Sequence, residues 1–234
     1  MTVRRSLCLA SGASALLLVA ACGNDPERES DFALAQSTLS SALGPALSRG
    51  AGAPPQAAST PEALAAVLPQ FPPGPVLRFE VPEIEQSALA FQSARNGDYV
   101  TFATVTAQTL TTRGGIVTST RGFGWDLMSS ATNGAADLVR RRSAGTVDRI
   151  YRHLSAMDDE VETVASCRII RDSSETITVA SGTRIATTRI REACTAGELS
   201  FTNLYWVTSS GTIFRSRQWV SPEVGSLEIE IVRN

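Results

Sequence analysis

The 234-residue chain contains no lysine: all 21 of its basic residues are arginine, set against 23 acidic groups for a net charge of −2. That absence excludes Schiff-base and lysine-nucleophile mechanisms, and the acidic balance does not suit nucleic acid. The codon usage of a GC-rich genome accounts for the missing lysine more simply than selection for arginine chemistry. Histidine occurs once, at His153, so a serine or cysteine triad would have to be built around that imidazole. No Gly-x-Ser-x-Gly elbow is present. In its strand-like surroundings His153 reads as a partly exposed, hydrogen-bonded residue rather than a base. Cysteine is scarce, with four in the chain, and two isolated cysteines with one distant histidine make a poor zinc site. No metal and no cofactor are expected. Long apolar runs are also missing, because Leu7 to Val19 falls well short of the ~20 residues that cross a bilayer as a helix.

That short run nevertheless has a recognisable setting. Arg4 and Arg5 form a positive n-region, Leu7 to Val19 an apolar h-region, and Ala20-Ala21 the small residues that fit a signal peptidase cleft before Cys22. A cysteine at that point offers a thiol for a diacylglyceryl group and, after cleavage, an amine for a third acyl chain. Each buried methylene contributes roughly 0.8 kcal/mol and about two lipid signals suffice, so an acylated Cys22 would anchor firmly without a transmembrane helix. The alternative is a plain signal peptide with an incidental cysteine. Gly23 stands where a lipoprotein retained in the inner membrane usually has Asp, which resembles the outer-membrane sorting pattern; a location at the outer membrane, with the domain on its periplasmic face, is the expectation. Arg4-Arg5-Ser6-Leu7 also faintly resembles a twin-arginine signal, so Sec and Tat export both stay open.

With Cys8 in the leader and Cys22 acylated, Cys167 and Cys194 remain as a pair in an oxidising compartment, where a disulfide is expected. Two buried free thiols are the alternative. Residues 1–21 read as signal peptide, 22–75 as a lipidated tether and 76–234 as a β-rich periplasmic domain. Within the tether, Asp31 to Leu47 has apolar residues at roughly helical intervals, and Ala51 to Ser59 is an extended Pro/Ala-rich linker. Thr60-Pro61-Glu62 has the pattern of an N-cap with proline at the first helical position and opens a helix through Leu68, closed by Pro69, Pro72, Pro73 and Pro75. The segment either holds the domain off the membrane or wraps along its surface.

From Val76 the texture changes to β-branched residues, short runs and regular turn signals, which predicts an all-β, antiparallel meander forming a sandwich or an open barrel. Leu110–Arg113 and Ile116–Thr120 face each other across Gly114-Gly115, a connection of the kind used in primed hairpin turns. Glu175–Ala180 and Thr183–Ala193 flank Ser181-Gly182 in the same way. That pairing would bring Cys194 back onto the strand of Cys167, near the strand ends. Further turns are expected at Ser209-Ser210-Gly211 and from Pro222 to Ser226.

Few residues suggest chemistry. In Gly122-Phe123-Gly124-Trp125-Asp126 the glycines permit unusual backbone angles while Phe and Trp offer large apolar faces, suited to stacking on sugar rings or docking a protein. The competing expectation is that Trp125 plugs one end of the β core. Trp206 and Trp219 lie in strand patterns and read as core or half-core. Arg140-Arg141-Arg142 could hold acidic sugars or lipid phosphates through forked hydrogen bonds, or form a solvated loop or helix end. Asp158-Asp159-Glu160-Val161-Glu162 lacks the spaced ligands of a calcium loop and reads as a solvated turn.

Two blocks resemble the YjbF/GfcB family of proteobacterial lipoproteins, associated with exopolysaccharide and group 4 capsule production. One runs from Gly115 through Thr118, Arg121 and Gly122-Phe123-Gly124-Trp125-Asp126 to Leu127. The other comprises Tyr205-Trp206, Ile213, Ser216, Gln218-Trp219, Ser221-Pro222 and Gly225. The long Ala/Pro-rich insertion after Cys22 departs from the enterobacterial members. The resemblance implies an outer-membrane lipoprotein that assists polysaccharide export by binding an outer-membrane β-barrel and periplasmic export proteins. It carries no catalytic residues to transfer. Two alternatives are a module that binds polysaccharide directly through Phe123, Trp125 and the arginine run, and a glycan-modifying enzyme using Asp126 and Glu160 as acid and base.

Overall fold

The computed structural model describes residues 60–154 and 160–234. Cys22, the leader, the first part of the tether and Asp158-Asp159 lie outside the described residues. The strands are β1 (Val76–Val81), β2 (Gln86–Asn96), β3 (Tyr99–Ala103), β4 (Thr109–Arg113), β5 (Ile116–Arg121), β6 (Leu127–Ala131), β7 (Gly145–Leu154), β8 (Glu160–Thr178), β9 (Arg184–Ala196), β10 (Leu199–Val207), β11 (Ile213–Ser221) and β12 (Gly225–Arg233). They form one antiparallel sheet curled into a nearly closed barrel, so of the two shapes open from sequence the barrel is the one adopted.

Consecutive strands pair throughout the meander, with one exception. The ladder joins β1 to β12, through registers such as Leu77↔Ile231 and Phe79↔Ile229, and leaves β5 and β6 as the two edges. The sheet's seam therefore falls in the middle of the sequence, with its edges side by side.

Alternation along the strands sorts side chains between lumen and outer wall. In β10, Asn203, Tyr205 and Val207 are buried while Leu204 and Trp206 are partly exposed; in β7, Arg149, Tyr151 and His153 point inward. The Gly114-Gly115 hairpin forms with Arg113 opposite Ile116. The Ser181-Gly182 turn joins β8 to β9. These two strands outrun β10, whose last residue Val207 pairs with Thr188, and β8 is bulged between Arg171 and Ser173. Their tip folds onto the outer wall. There Arg215 Nη2 donates to the Thr178 carbonyl at 2.7 Å, Trp206 Nε1 donates to Glu175 at 3.1 Å, and the Ala180 N–H donates to the buried Glu230.

Helix α1 (Pro61–Val67) starts as its sequence dictates, with Thr60 Oγ1 accepting the Ala63 N–H at 3.2 Å and proline in the first turn. Leu64, 1% exposed, packs with Val76, Leu89, Phe91 and Ala103 on the outer face of the barrel. Arg233 then clamps the chain that follows, donating to the carbonyls of Leu68 (3.2 Å), Gly74 (2.6 Å) and Pro72. Residues 60–75 thus lie along the barrel wall. A second helix, α2 (Ala135–Arg141), links β6 to β7; the sequence pointed only to its end, in the arginine run that closes it. Its seven residues begin at Gly134 without a side-chain cap and bury only Ala135 and Val139, too brief a pattern to show a period. Among the described residues no helix is long and apolar enough to cross a membrane.

Cys167 and Cys194 are bonded as expected. They sit directly opposite each other on β8 and β9, fully buried, with Cα atoms 4.0 Å apart. The bridge lies near the end of β9 but in the middle of β8, because β8 runs on to form the tip. Its closed loop of about 28 residues is worth roughly 3–4 kcal/mol in the chain-entropy model. The double substitution Cys167→Ala/Cys194→Ala is expected to lower unfolding stability by about that amount in denaturant titration. A midpoint unchanged from wild type would refute a stabilising role.

Candidate functional site

The Gly-Phe-Gly-Trp-Asp segment is the connection between the two edge strands, where no backbone ladder holds the sheet together. Side chains do so instead. Arg121, the last residue of β5, reaches over β6 and donates from Nη1 to the Leu127 carbonyl at 3.1 Å and from Nη2 to Met128 at 3.5 Å. Thr120 Oγ1 accepts the Leu127 N–H at 2.9 Å and donates to Asp126 Oδ1 at 2.9 Å. Asp126 also accepts the N–H groups of Gly122 (2.7 Å) and Phe123 (3.2 Å). Its carboxylate thus organises the loop. Gly122 and Gly124 have φ of +85° and +96°, left-handed angles that glycine adopts without strain and that turn the chain twice within five residues.

The loop separates its two aromatics. Phe123 enters the barrel, 9% exposed, and meets Phe79 edge-on at 5.4 Å; Trp125 stays outside at 42% exposure. The expectation that Trp125 plugs the core is therefore corrected: Phe123 is the plug. Each aromatic follows a glycine, so nothing local in the sequence told the two apart. Trp219 is a core residue, stacked on Phe201 at 4.3 Å, whereas Trp206 faces the outer wall half-buried.

The second family-like block meets the first inside the lumen. Gln218 of β11 accepts the Val117 N–H of β5 at 2.8 Å and donates to the carbonyl of Gly115, in the turn just before that strand, at 2.9 Å, satisfying backbone groups beside the free edge.

The arginine run lies at the other end of the barrel and is itself divided. Arg142 adopts a left-handed angle at the end of α2 and donates to the carbonyls of Thr208 (2.6 Å) and Ser209 (3.0 Å), a structural clamp. Arg140 and Arg141 are exposed. The candidate residues therefore do not converge on one site. His153 is buried, with Nε2 2.7 Å from the Val220 carbonyl and its ring edge-on to Trp219. It is hydrogen-bonded as expected but more enclosed. Glu160 and Glu162 both pair with Arg152, at 3.3 and 2.7 Å. An acid–base pair of Asp126 and Glu160 would need the carboxylate that the loop already uses.

Sequence reasoning missed a buried polar cluster. Arg149 on β7 donates to both oxygens of Glu192 on β9 at 3.1 Å and to Ser130 at 3.0 Å, with its guanidinium over the Tyr151 ring. Glu192 also accepts from Asn203 (2.8 Å) and Tyr205 (2.7 Å). Burial opposes a charge on Arg149, yet the electrostatic pull of Tyr151, Glu192 and Tyr205 outweighs it and raises its pKa. Burial pushes the Tyr151 phenol up to about 12, and burial next to Glu192 holds Tyr205 well above its ordinary value. Glu192 lies within 4.8 Å of both cysteine sulfurs, but these are bonded to each other and offer no thiolate to a metal. Strict alternation was the available signal: Val147, Arg149, Tyr151 and His153 share one face of β7, as Ile190, Glu192 and Cys194 do of β9.

Two outcomes follow. Asp126→Ala should lower stability by about 2 kcal/mol through loss of its loop hydrogen bonds, while Trp125→Ala stays within ~0.5 kcal/mol, as read by thermal denaturation. The reverse order would show that Trp125 carries the loop. Because the fold favours neutral Tyr151 and Tyr205, their contribution is complete below pH 10 and is lost as pH rises, that of Tyr151 through about 12. Tyrosinate absorbance should therefore rise together with loss of near-ultraviolet circular dichroism, and ionisation of both phenols without unfolding would contradict the burial.

A family model described as "Group 4 capsule polysaccharide lipoprotein gfcB, YjbF" matches residues 46–232. Among solved structures, the hypothetical lipoprotein YmcC from Escherichia coli (K12) is similar with a TM-score of 0.66 at 16% identity, covering 85% of this chain and 95% of that one. At that identity the likeness concerns the fold. No curated protein matches. Matched across most of its length and carrying both sequence blocks on one nearly closed barrel, the chain belongs to the YjbF family of group 4 capsule polysaccharide lipoproteins.

Proposed function

We propose that this protein is a lipid-anchored accessory of the bacterial outer membrane that assists assembly or export of an extracellular polysaccharide by binding an envelope partner rather than by catalysis. The observation that carries this reading is the family match across residues 46–232. The chemistry of the barrel supports it. The lone histidine is bound in the core, Asp126 is committed to a turn, and the Arg149–Glu192 pair is enclosed. Groups committed in this way to internal hydrogen bonds suit a scaffold. The partner in this reading is an outer-membrane β-barrel together with periplasmic export proteins, and the anchor is an acylated Cys22. A direct glycan-binding role is the second reading, favoured by the exposure of Trp125 beside a rigid loop.

Deletion of the gene should reduce surface polysaccharide, and Cys22→Ser should abolish palmitate incorporation and release the protein from the membrane fraction. Normal polysaccharide in the deletion strain would overturn the role. A label-free wild type would overturn the anchor.

A further inference from the structure

The end of the barrel opposite the Phe123 plug is open. A cavity of about 490 Å³ lies there among the β2–β3 and β4–β5 turns, α2 and the β10–β11 turn. The mouth of a β-barrel is a preferred place for a small ligand, and this volume falls in the usual range for one of roughly 300–1,000 Å³. Its walls include inward-facing apolar residues, among them Leu77, Phe102, Ile229 and Ile231, while Arg95, Arg113, Arg140, Asp98 and Asp137 line it with polar groups.

We infer that this mouth binds an anionic sugar unit, with Arg95 and Arg140 holding its carboxylate and the apolar wall meeting the C–H face of its ring. The inference rests on the polysaccharide role proposed above and deepens it. Of the three arginines, Arg113 is matched by Asp98 at 3.8 Å, whereas Arg95 and Arg140 have no acidic partner among the described residues. Arg140 is also built in. Its Nε donates to the Gly211 carbonyl at 3.3 Å, and a Cβ on Gly114 would stand 3.3 Å from its Cδ, so any larger residue there would crowd the arginine stem. The hydrogen bond to Gly211 uses Nε and not the terminal nitrogens, whose fork matches a carboxylate. Asp137 adds an acceptor that would repel a bare anion but suits sugar hydroxyls. A mixed set of donors and an acceptor over an apolar surface therefore favours an acidic saccharide over a phosphate headgroup.

The test is calorimetric titration of the detergent-solubilised full-length protein with galacturonate and glucuronate oligomers, with their carboxyl-reduced counterparts, and with a partial hydrolysate of the producing strain's own polysaccharide. Phosphatidylglycerol vesicles form a separate arm. Saturable binding of an acidic oligomer is expected, weakened roughly 10-fold or more by Arg95→Gln or Arg140→Gln. It should be lost on carboxyl reduction and unmoved by Arg168→Gln on the outer wall of β8. Equal binding by wild type and both variants, no saturable binding of any acidic saccharide, or arginine-dependent binding of the vesicles alone would overturn the inference. In the deletion strain, full restoration of polysaccharide by an Arg95→Gln/Arg140→Gln protein would overturn the cavity's role while leaving the family role standing; a deletion without phenotype would remove the family role itself.

Discussion

A sheet that closes by pairing its first and last strands must leave a seam somewhere, and here the seam lies between β5 and β6. Unpaired edge backbone is costly to bury and prone to recruit other strands when exposed. This barrel resolves the problem with side chains. Arg121 and Thr120 cross the gap at one end, Gln218 reaches through the lumen to the backbone of β5, and α2 fills the space where the edges part at the other. The loop that turns the chain across the seam also supplies Phe123 to the core. Closure, plug and core filling thus depend on one short segment.

The lumen is not uniformly apolar. On the β7–β10 side it holds an arginine, a glutamate, two tyrosines and an asparagine, beside the disulfide. Breaking such a buried pair typically costs about 3–5 kcal/mol, even where its net contribution over an apolar filling is small. The network therefore favours one arrangement of strands rather than adding much to overall stability. The opposite end stays open, and of the arginines lining its cavity Arg113 has an acidic partner in Asp98 while Arg95 and Arg140 have none among the described residues. The same barrel is sealed at one mouth and hollow at the other.

Much of the fold was legible because it is encoded locally. Gly114-Gly115 and Ser181-Gly182 specify tight turns between alternating runs, Thr60-Pro61 specifies a helix start, and two cysteines in an oxidising setting specify a bridge. The candidate site was legible as a segment but not as an arrangement. Asp126 was visible as a carboxylate, while its three hydrogen-bond donors became visible only once the loop had turned. Phe123 and Trp125 were equivalent by type and setting, and only the folded loop parts them, with Phe123 against Phe79 in the core and Trp125 outside.

From its order of residues alone this protein is β-rich, antiparallel, disulfide-linked and similar to a family of envelope lipoproteins, since alternation, turn chemistry and motif spacing act over a few neighbours. Tertiary structure decided that the sheet closes as a barrel, that β1 meets β12, that Arg149 finds Glu192 forty-three residues away, and that a cavity opens beside Arg140. These are consequences of closure, in which residues distant along the chain become neighbours only after every intervening hairpin has taken its register.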